Sequence, residues 1–84
     1  MIYELEYSST ALKQLKKLDK SLQKQVLKSI EKIAENPMLA KPLSNVFKNY
    51  RSEHSGKHRI VFSIKGNLLI IAKIEHRKKA YRKP

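Results

Sequence analysis

The chain has 84 residues, a formal net charge of +12 and no cysteine. A chain this short makes one small domain, able to bury only about 60 to 65 per cent of the surface it exposes when unfolded, and neither disulfides nor thiolate metal sites can reinforce it. Its start is broken by Glu4 and Glu6, so no signal peptide is expected, and no apolar run is long enough to cross a bilayer, so a cytoplasmic protein is expected.

The charge is unevenly spread. Residues 1–37 hold seven lysines against five acids, whereas residues 38–84 hold eight lysines and all four arginines (Arg51, Arg59, Arg77 and Arg82) against Glu53 and Glu75 alone. Such an excess attracts polyanions with salt-dependent affinity. Arginine suits bidentate phosphate contact, so the expectation is a nucleic-acid surface in the second half.

Tyr3, Leu5 and Tyr7 alternate with Glu4 and Glu6, the period of a half-buried strand. Ser8 or Ser9 can cap a helix in which Ala11, Leu12, Leu15 and Leu18 share a face. Asp19 starts a second helix with the stripe Leu22, Val26, Ile30 and Ile33, ended by Asn36-Pro37. Residues 38–46 show no period and are expected to be a connecting loop. Phe47–His54 reads as a strand and Ser55-Gly56-Lys57 as a turn. In His58–Ile64 the residues Ile60, Phe62 and Ile64 should face the helices, while Arg59, Val61 and Ser63 should face an open side of the sheet. Leu68–Ile74 is almost continuously apolar and should lie near the middle of the sheet, covered on both faces.

Lys65-Gly66-Asn67 closes a hairpin. A turn centred on Gly66 would pair Arg59 with Lys73 and Gly56 with His76, placing His76 roughly 10 Å along the strand from the Arg59 row. After Ile74 the chain releases Glu75, His76, Arg77, Lys78, Lys79 and, at position 81, a tyrosine.

These residue types suit metal-free RNA cleavage. The ribose 2′-hydroxyl is an internal nucleophile, so a protein must hold the scissile phosphate, neutralise its developing charge, take one proton and give another. Arg59 and Arg77 are candidates for the phosphate, with Arg51 and Lys57 behind them, and His76 and Tyr81 for the protons. Dense positive charge from Lys78, Lys79 and Arg82 would favour the Tyr81 phenolate. Each residue also has a plainer reading. Arg59 can cover sheet surface with its stem, His76 can be a polar strand terminator, Tyr81 an apolar anchor, and the basic tail a non-specific RNA or acidic-partner contact. His54, His58 and His76 lack carboxylate or thiol companions at metal-ligand spacing, so no metal and no cofactor is expected.

The order of these pieces resembles the RelE/ParE superfamily of toxins from toxin–antitoxin pairs, over nearly the whole chain. The resemblance is carried by the first strand with Ser-Ser-Thr-Ala-Leu-Lys-Gln-Leu-Lys-Lys-Leu-Asp, by Glu-Asn-Pro at 35–37 and by Lys-Pro-Leu at 41–43. Tyr50-Arg51 through Ser55-Gly56-Lys57-His58-Arg59-Ile60-Val61-Phe62 and the ending His76-Arg77-x-x-x-Tyr81 complete it. It implies one RelE-like toxin domain over 1–84, an α+β fold of β-α-α-β-β-β order, with an N-terminal helical hairpin on one face of a small, antiparallel-rich twisted sheet. It also implies ribosome-dependent mRNA cleavage in the decoding site, contact with mRNA and ribosomal RNA, and a RelB-like antitoxin in a hetero-oligomer. Arg59 matches the family's phosphate-contacting arginine, Arg77 a C-terminal arginine, Tyr81 the tyrosine proposed as base, and His76 the histidine of the YoeB branch. Arg51 stands where RelE has a lysine. The second RelE lysine falls on Ser52 or Glu53, so its role is not carried over; Lys57 or Lys73 could substitute. A ParE-like poison of DNA gyrase and a non-catalytic RNA- or ribosome-binding module are the alternatives.

Overall fold

A computed structural model describes residues 3–42 and 49–76. Arg77, Lys78, Lys79, Tyr81 and Arg82 lie outside the described residues, as does the expected strand start at Phe47. The elements are β1 (Glu4–Tyr7), α1 (Ser9–Lys17), α2 (Lys20–Glu35), a 3-10 turn (Pro37–Leu39), β2 (Lys41–Pro42), β3 (Tyr50–Ser55), β4 (His58–Lys65) and β5 (Leu68–His76). The sheet order is β1-β5-β4-β3-β2, with β1 parallel to β5 and the other neighbours antiparallel. This is the expected α+β arrangement, and β5 is an interior strand.

Part of the expected loop is ordered structure. Pro37–Leu39 and the two-residue β2 continue from α2 to the far edge of the sheet, where a proline without an N–H is tolerated. Two residues show no period, which hid this strand.

Both hairpins close with two-residue loops, Gly56-Lys57 and Gly66-Asn67, and each begins with a glycine at positive φ (60° and 62°), as the primed hairpin turns require. The β4–β5 turn is therefore not centred on Gly66, and pairing starts at Lys65 with Leu68. A bulge follows: Phe62 pairs with Ile71 but Val61 pairs with Lys73, leaving Ala72 as the extra residue. The expected register is thus corrected. Arg59 lies opposite Glu75, not Lys73, and His76 lies opposite His58, not Gly56.

The bulge keeps the core apolar. Strict alternation from Leu69 and Ile71 would turn Lys73 and Glu75 inward; the extra residue turns Ile74 inward instead. The buried cluster joins Ile60, Phe62, Leu69, Ile71 and Ile74 of the sheet to Ala11 of α1 and to Val26, Ile30 and Ile33 of α2. Each fully buried Ile or Phe side chain contributes about 1.5–3 kcal/mol. Among the described residues both helices lie on this face only, so β5 is not helix-covered on both sides: Leu68 and Ile70 on the other face are half-buried. Leu12 also departs from expectation, remaining 41% exposed while Ala11, Leu15 and Leu18 meet the core. No helix among the described residues is long and apolar enough to cross a membrane.

Helix α1 is tied to the bulge by its own cap. The Ser8 hydroxyl accepts from the Ala11 amide (3.0 Å) and donates to the Ala72 carbonyl (2.6 Å), while the Ser8 amide donates to the Ile71 carbonyl (2.9 Å). Gln14 Oε1 accepts from the Ile74 amide at 2.6 Å. A Ser8→Ala substitution removes the cap and leaves the Ala72 carbonyl short of a partner. It is expected to lower stability by about 1–3 kcal/mol in urea unfolding, more than a surface cap of the same type.

Candidate nucleic-acid interface

Alternation along three strands sorts the polar side chains of the second half onto two faces. On β3, Ser55 is buried and its hydroxyl accepts from Ser29 of α2 (2.8 Å), so Ser55, Glu53 and Arg51 belong to the helix face. Tyr50, Ser52 and His54 alternate onto the other face, and His54 also lines a cleft with Ser29, Lys32 and Asn36. On β4, Ile60 and Phe62 enter the core, which turns Arg59, Val61 and Ser63 to the other face as expected, although Val61 is buried there (7% exposed) rather than open. On β5 the bulge turns Lys73 and Glu75 outward.

Register then aligns these residues into rows. His54, Arg59 and Glu75 form one row across three strands, Ser52, Val61 and Lys73 the next, and Tyr50, Ser63 and Ile70 a third. His54 is exposed, and Arg59 and Glu75 are half-buried. Lys73 Nζ lies 3.7 Å from Glu75 Oε1; the lysine side chain is 52% exposed, so the pair contributes at most about 1 kcal/mol and exchanges partners readily. A guanidinium flanked by an imidazole and a carboxylate, with an ammonium in the next row, can hold a phosphate and move protons beside it.

The remaining sequence-predicted residues are placed differently. His76 shares the face of His58, opposite to that of Arg59, although the two lie in adjacent rows rather than roughly 10 Å apart. The His58 and His76 rings meet edge to face with centroids 5.3 Å apart, beside a cleft that Gln14 and Lys17 of α1 and also Glu75 line. Arg51 turns to the helix side, where Nη1 donates to the carbonyls of Ala40 (2.9 Å) and Met38 (3.4 Å), holding the 3-10 turn against the sheet. Lys57 stands exposed in the β3–β4 turn. Among the described residues no three His, Cys, Asp or Glu side chains gather as metal ligands would. Glu75 and His54 are the members of the Arg59 row that residue-type reasoning left out of the site. Alternation on β3 and a two-residue second turn were the signals that could have found them.

His58 is only 7% exposed, and its Nδ1 has no hydrogen-bond partner. Burial, and secondarily the neighbouring His76, holds its pKa below the ordinary 6.5. The unfolded chain therefore binds this proton more readily than the folded one. The stability from a neutral His58 is present above the unfolded pKa and is lost as pH falls through the folded value.

The sequence matches the family model described as the ParE toxin of the type II toxin–antitoxin system, parDE, over residues 5–81. The chain belongs to that family and is a toxin of the RelE/ParE/YoeB superfamily. The fold is similar to that in the RelBE2 toxin–antitoxin complex from Mycobacterium tuberculosis, with a TM-score of 0.82, 22% identity, and coverage of 92% of this chain and 100% of that one. It is similar also to the YoeB–YefM complex from Staphylococcus aureus (TM-score 0.76, 20% identity, 90% and 98% covered) and to the intact Escherichia coli RelBE complex (0.73, 19%, 88% and 95%). No curated protein matches by sequence.

Urea midpoints for the wild type should fall between about pH 7.5 and about pH 5.5, and His58→Gln should flatten that slope. An unchanged slope would place the titrating group elsewhere.

Proposed function

We propose that this toxin is a ribosome-dependent mRNA endoribonuclease that arrests translation, the ribose 2′-hydroxyl attacking the adjacent phosphate. The observation that carries the reading is Arg59, held mid-sheet on the face the helices leave open and flanked in its own row by an imidazole and a carboxylate. A gyrase poison or a simple RNA-binding module has no need of an acid and a base aligned with a phosphate ligand. Arg59 and Arg77 hold the phosphate and neutralise its charge, Tyr81 contacts the substrate, and Lys57, Lys73, Lys78, Lys79 and Arg82 hold the strand electrostatically. His76, paired with His58 on the helix side, is assigned to the structure of the strand end, and Arg51 to the 3-10 turn.

The dormant form is a complex with an antitoxin. The three solved relatives described above include toxin–antitoxin complexes, and this chain exposes Leu5, Leu12, Leu27, Met38 and Leu39 on a protein of charge +12, a surface suited to an acidic, amphipathic partner.

Purified protein added to translating ribosomes should cut mRNA within codons and cut free RNA poorly. Arg59→Ala should slow cutting by about 10²–10³-fold with an unchanged thermal midpoint. Gyrase-trapped DNA breaks with intact mRNA would support the ParE-like activity and sink this reading. Saturation with the product of the adjacent small reading frame should stabilise the toxin by about 2.7 kcal/mol at a hundredfold excess over Kd. No shift in melting temperature would remove that product as the partner.

A further inference from the structure

We propose that His54 and Glu75 are the proton-transfer pair of the cleavage reaction, one on each side of the phosphate that Arg59 holds. This rests on the reading of the chain as an RNA-cutting enzyme and names two of its catalytic residues.

The placement follows from pairing. His54 is the β3 partner of Arg59 and Glu75 is its β5 partner, so the three share one row of the open face. At a strand spacing of about 4.8 Å, the outer two backbones lie about 10 Å apart with the arginine between them. Displacement at phosphorus runs in line, with the entering and leaving oxygens on opposite sides of the transferred group. A base and an acid are therefore required at opposite ends of the phosphate site, and the row supplies one group at each end. His76 cannot serve there, because it occupies the other face beside His58.

The roles follow from donor and acceptor chemistry. The Glu75 carboxylate accepts the 2′-hydroxyl proton as O2′ bonds to phosphorus. The bond from phosphorus to O5′ breaks, and O5′ takes its proton from the His54 imidazolium. The upstream fragment ends in a 2′,3′-cyclic phosphate and the downstream fragment begins with a 5′-hydroxyl. Glu75 has gained one proton and His54 has lost one, and exchange with water resets both. Lys73, weakly held at 3.7 Å from Glu75, moves to a substrate oxygen and leaves the carboxylate to the hydroxyl. Among the described residues, the other charged or titratable side chains on this face are Tyr50, Arg59, Lys65 and Lys73, with Glu4 and Glu6 on β1.

The test is single-turnover cutting of ribosome-bound mRNA by the full chain across pH, for wild type, His54→Gln, Glu75→Gln and Tyr81→Phe, with thermal midpoints measured in parallel. The wild-type rate should be bell-shaped in pH. Glu75→Gln and His54→Gln should each slow cutting by about 10²–10⁴-fold without loss of fold, removing the acidic and the alkaline limb respectively. An mRNA with sulfur in place of the scissile O5′, whose leaving thiolate needs no proton, should restore His54→Gln and not Glu75→Gln. Rates for either variant within about twofold of wild type, or limbs that survive both substitutions and vanish in Tyr81→Phe, would overturn the pair. A wild type that cuts no mRNA would overturn the enzymatic reading itself, an outcome distinct from cutting that ignores His54 and Glu75.

Discussion

Ala72 has no partner on β4, and that one unpaired residue decides what the last third of β5 presents on each face. Without it, Lys73 and Glu75 would point into the core beneath α1 and Ile74 would point out. Burying two charged side chains is far more costly than the bend and the interrupted ladder that a bulge requires. The backbone groups disturbed by the bulge are not left bare. β1 ends where its pairing with Ile71 ends, and from there α1 takes over: the Ser8 amide and hydroxyl bind the carbonyls of Ile71 and Ala72, and Gln14 binds the Ile74 amide. The helix thus substitutes for the missing length of the edge strand.

The same device organises the charge. The helix face receives apolar residues plus the few polar groups that find fixed partners there, such as Ser55 on Ser29 and Arg51 on the 3-10 turn. The open face receives Arg59, whose Nε is buried, together with the exposed His54 and the weakly paired Lys73 and Glu75. Groups of the first kind specify the fold, whereas those of the second kind can be taken over by a ligand at little cost, since an exposed ion pair holds its members by at most about 1 kcal/mol.

Much of this was legible in the sequence. The two helices announced themselves through period and caps, with Ser8 and Asp19 both serving as N-caps, and the outward direction of Arg59 followed from alternation with Ile60 and Phe62. The neighbours of Arg59 were not legible, because a pairing sum depends on the loop length and on every bulge, and both were misjudged. A loop centred on Gly66 differs by one residue from a loop of Gly66-Asn67, and the bulge adds one more, so the shift is enough to exchange Lys73 for Glu75 in the row. His76 was assigned to the site by residue type, yet parity along the bulged strand sends it with Ile74 to the helix side. Arg51 was assigned by charge, although odd-numbered positions of β3 face α2.

That exchange also changes how the site's electrostatics should be understood. Residues 38–84 contain only two acids, and a reading by net charge treats both as incidental. Glu53, paired with the buried Ile60, does lie on the helix face, whereas Glu75 is the strand partner of the arginine. A site made only of cations would bind RNA but would offer nothing to accept the proton of the attacking hydroxyl. In the proposed reaction, one carboxylate within a strongly positive surface would supply an acceptor while leaving the surface attractive to phosphate. Its outward position depends on the bulge, and the bulge depends on Ser8 and Gln14 at the opposite end of the chain. The N-terminal helix therefore bears on the site by fixing which face of β5 Glu75 occupies, and its Gln14 and Lys17 line a cleft that also includes Glu75.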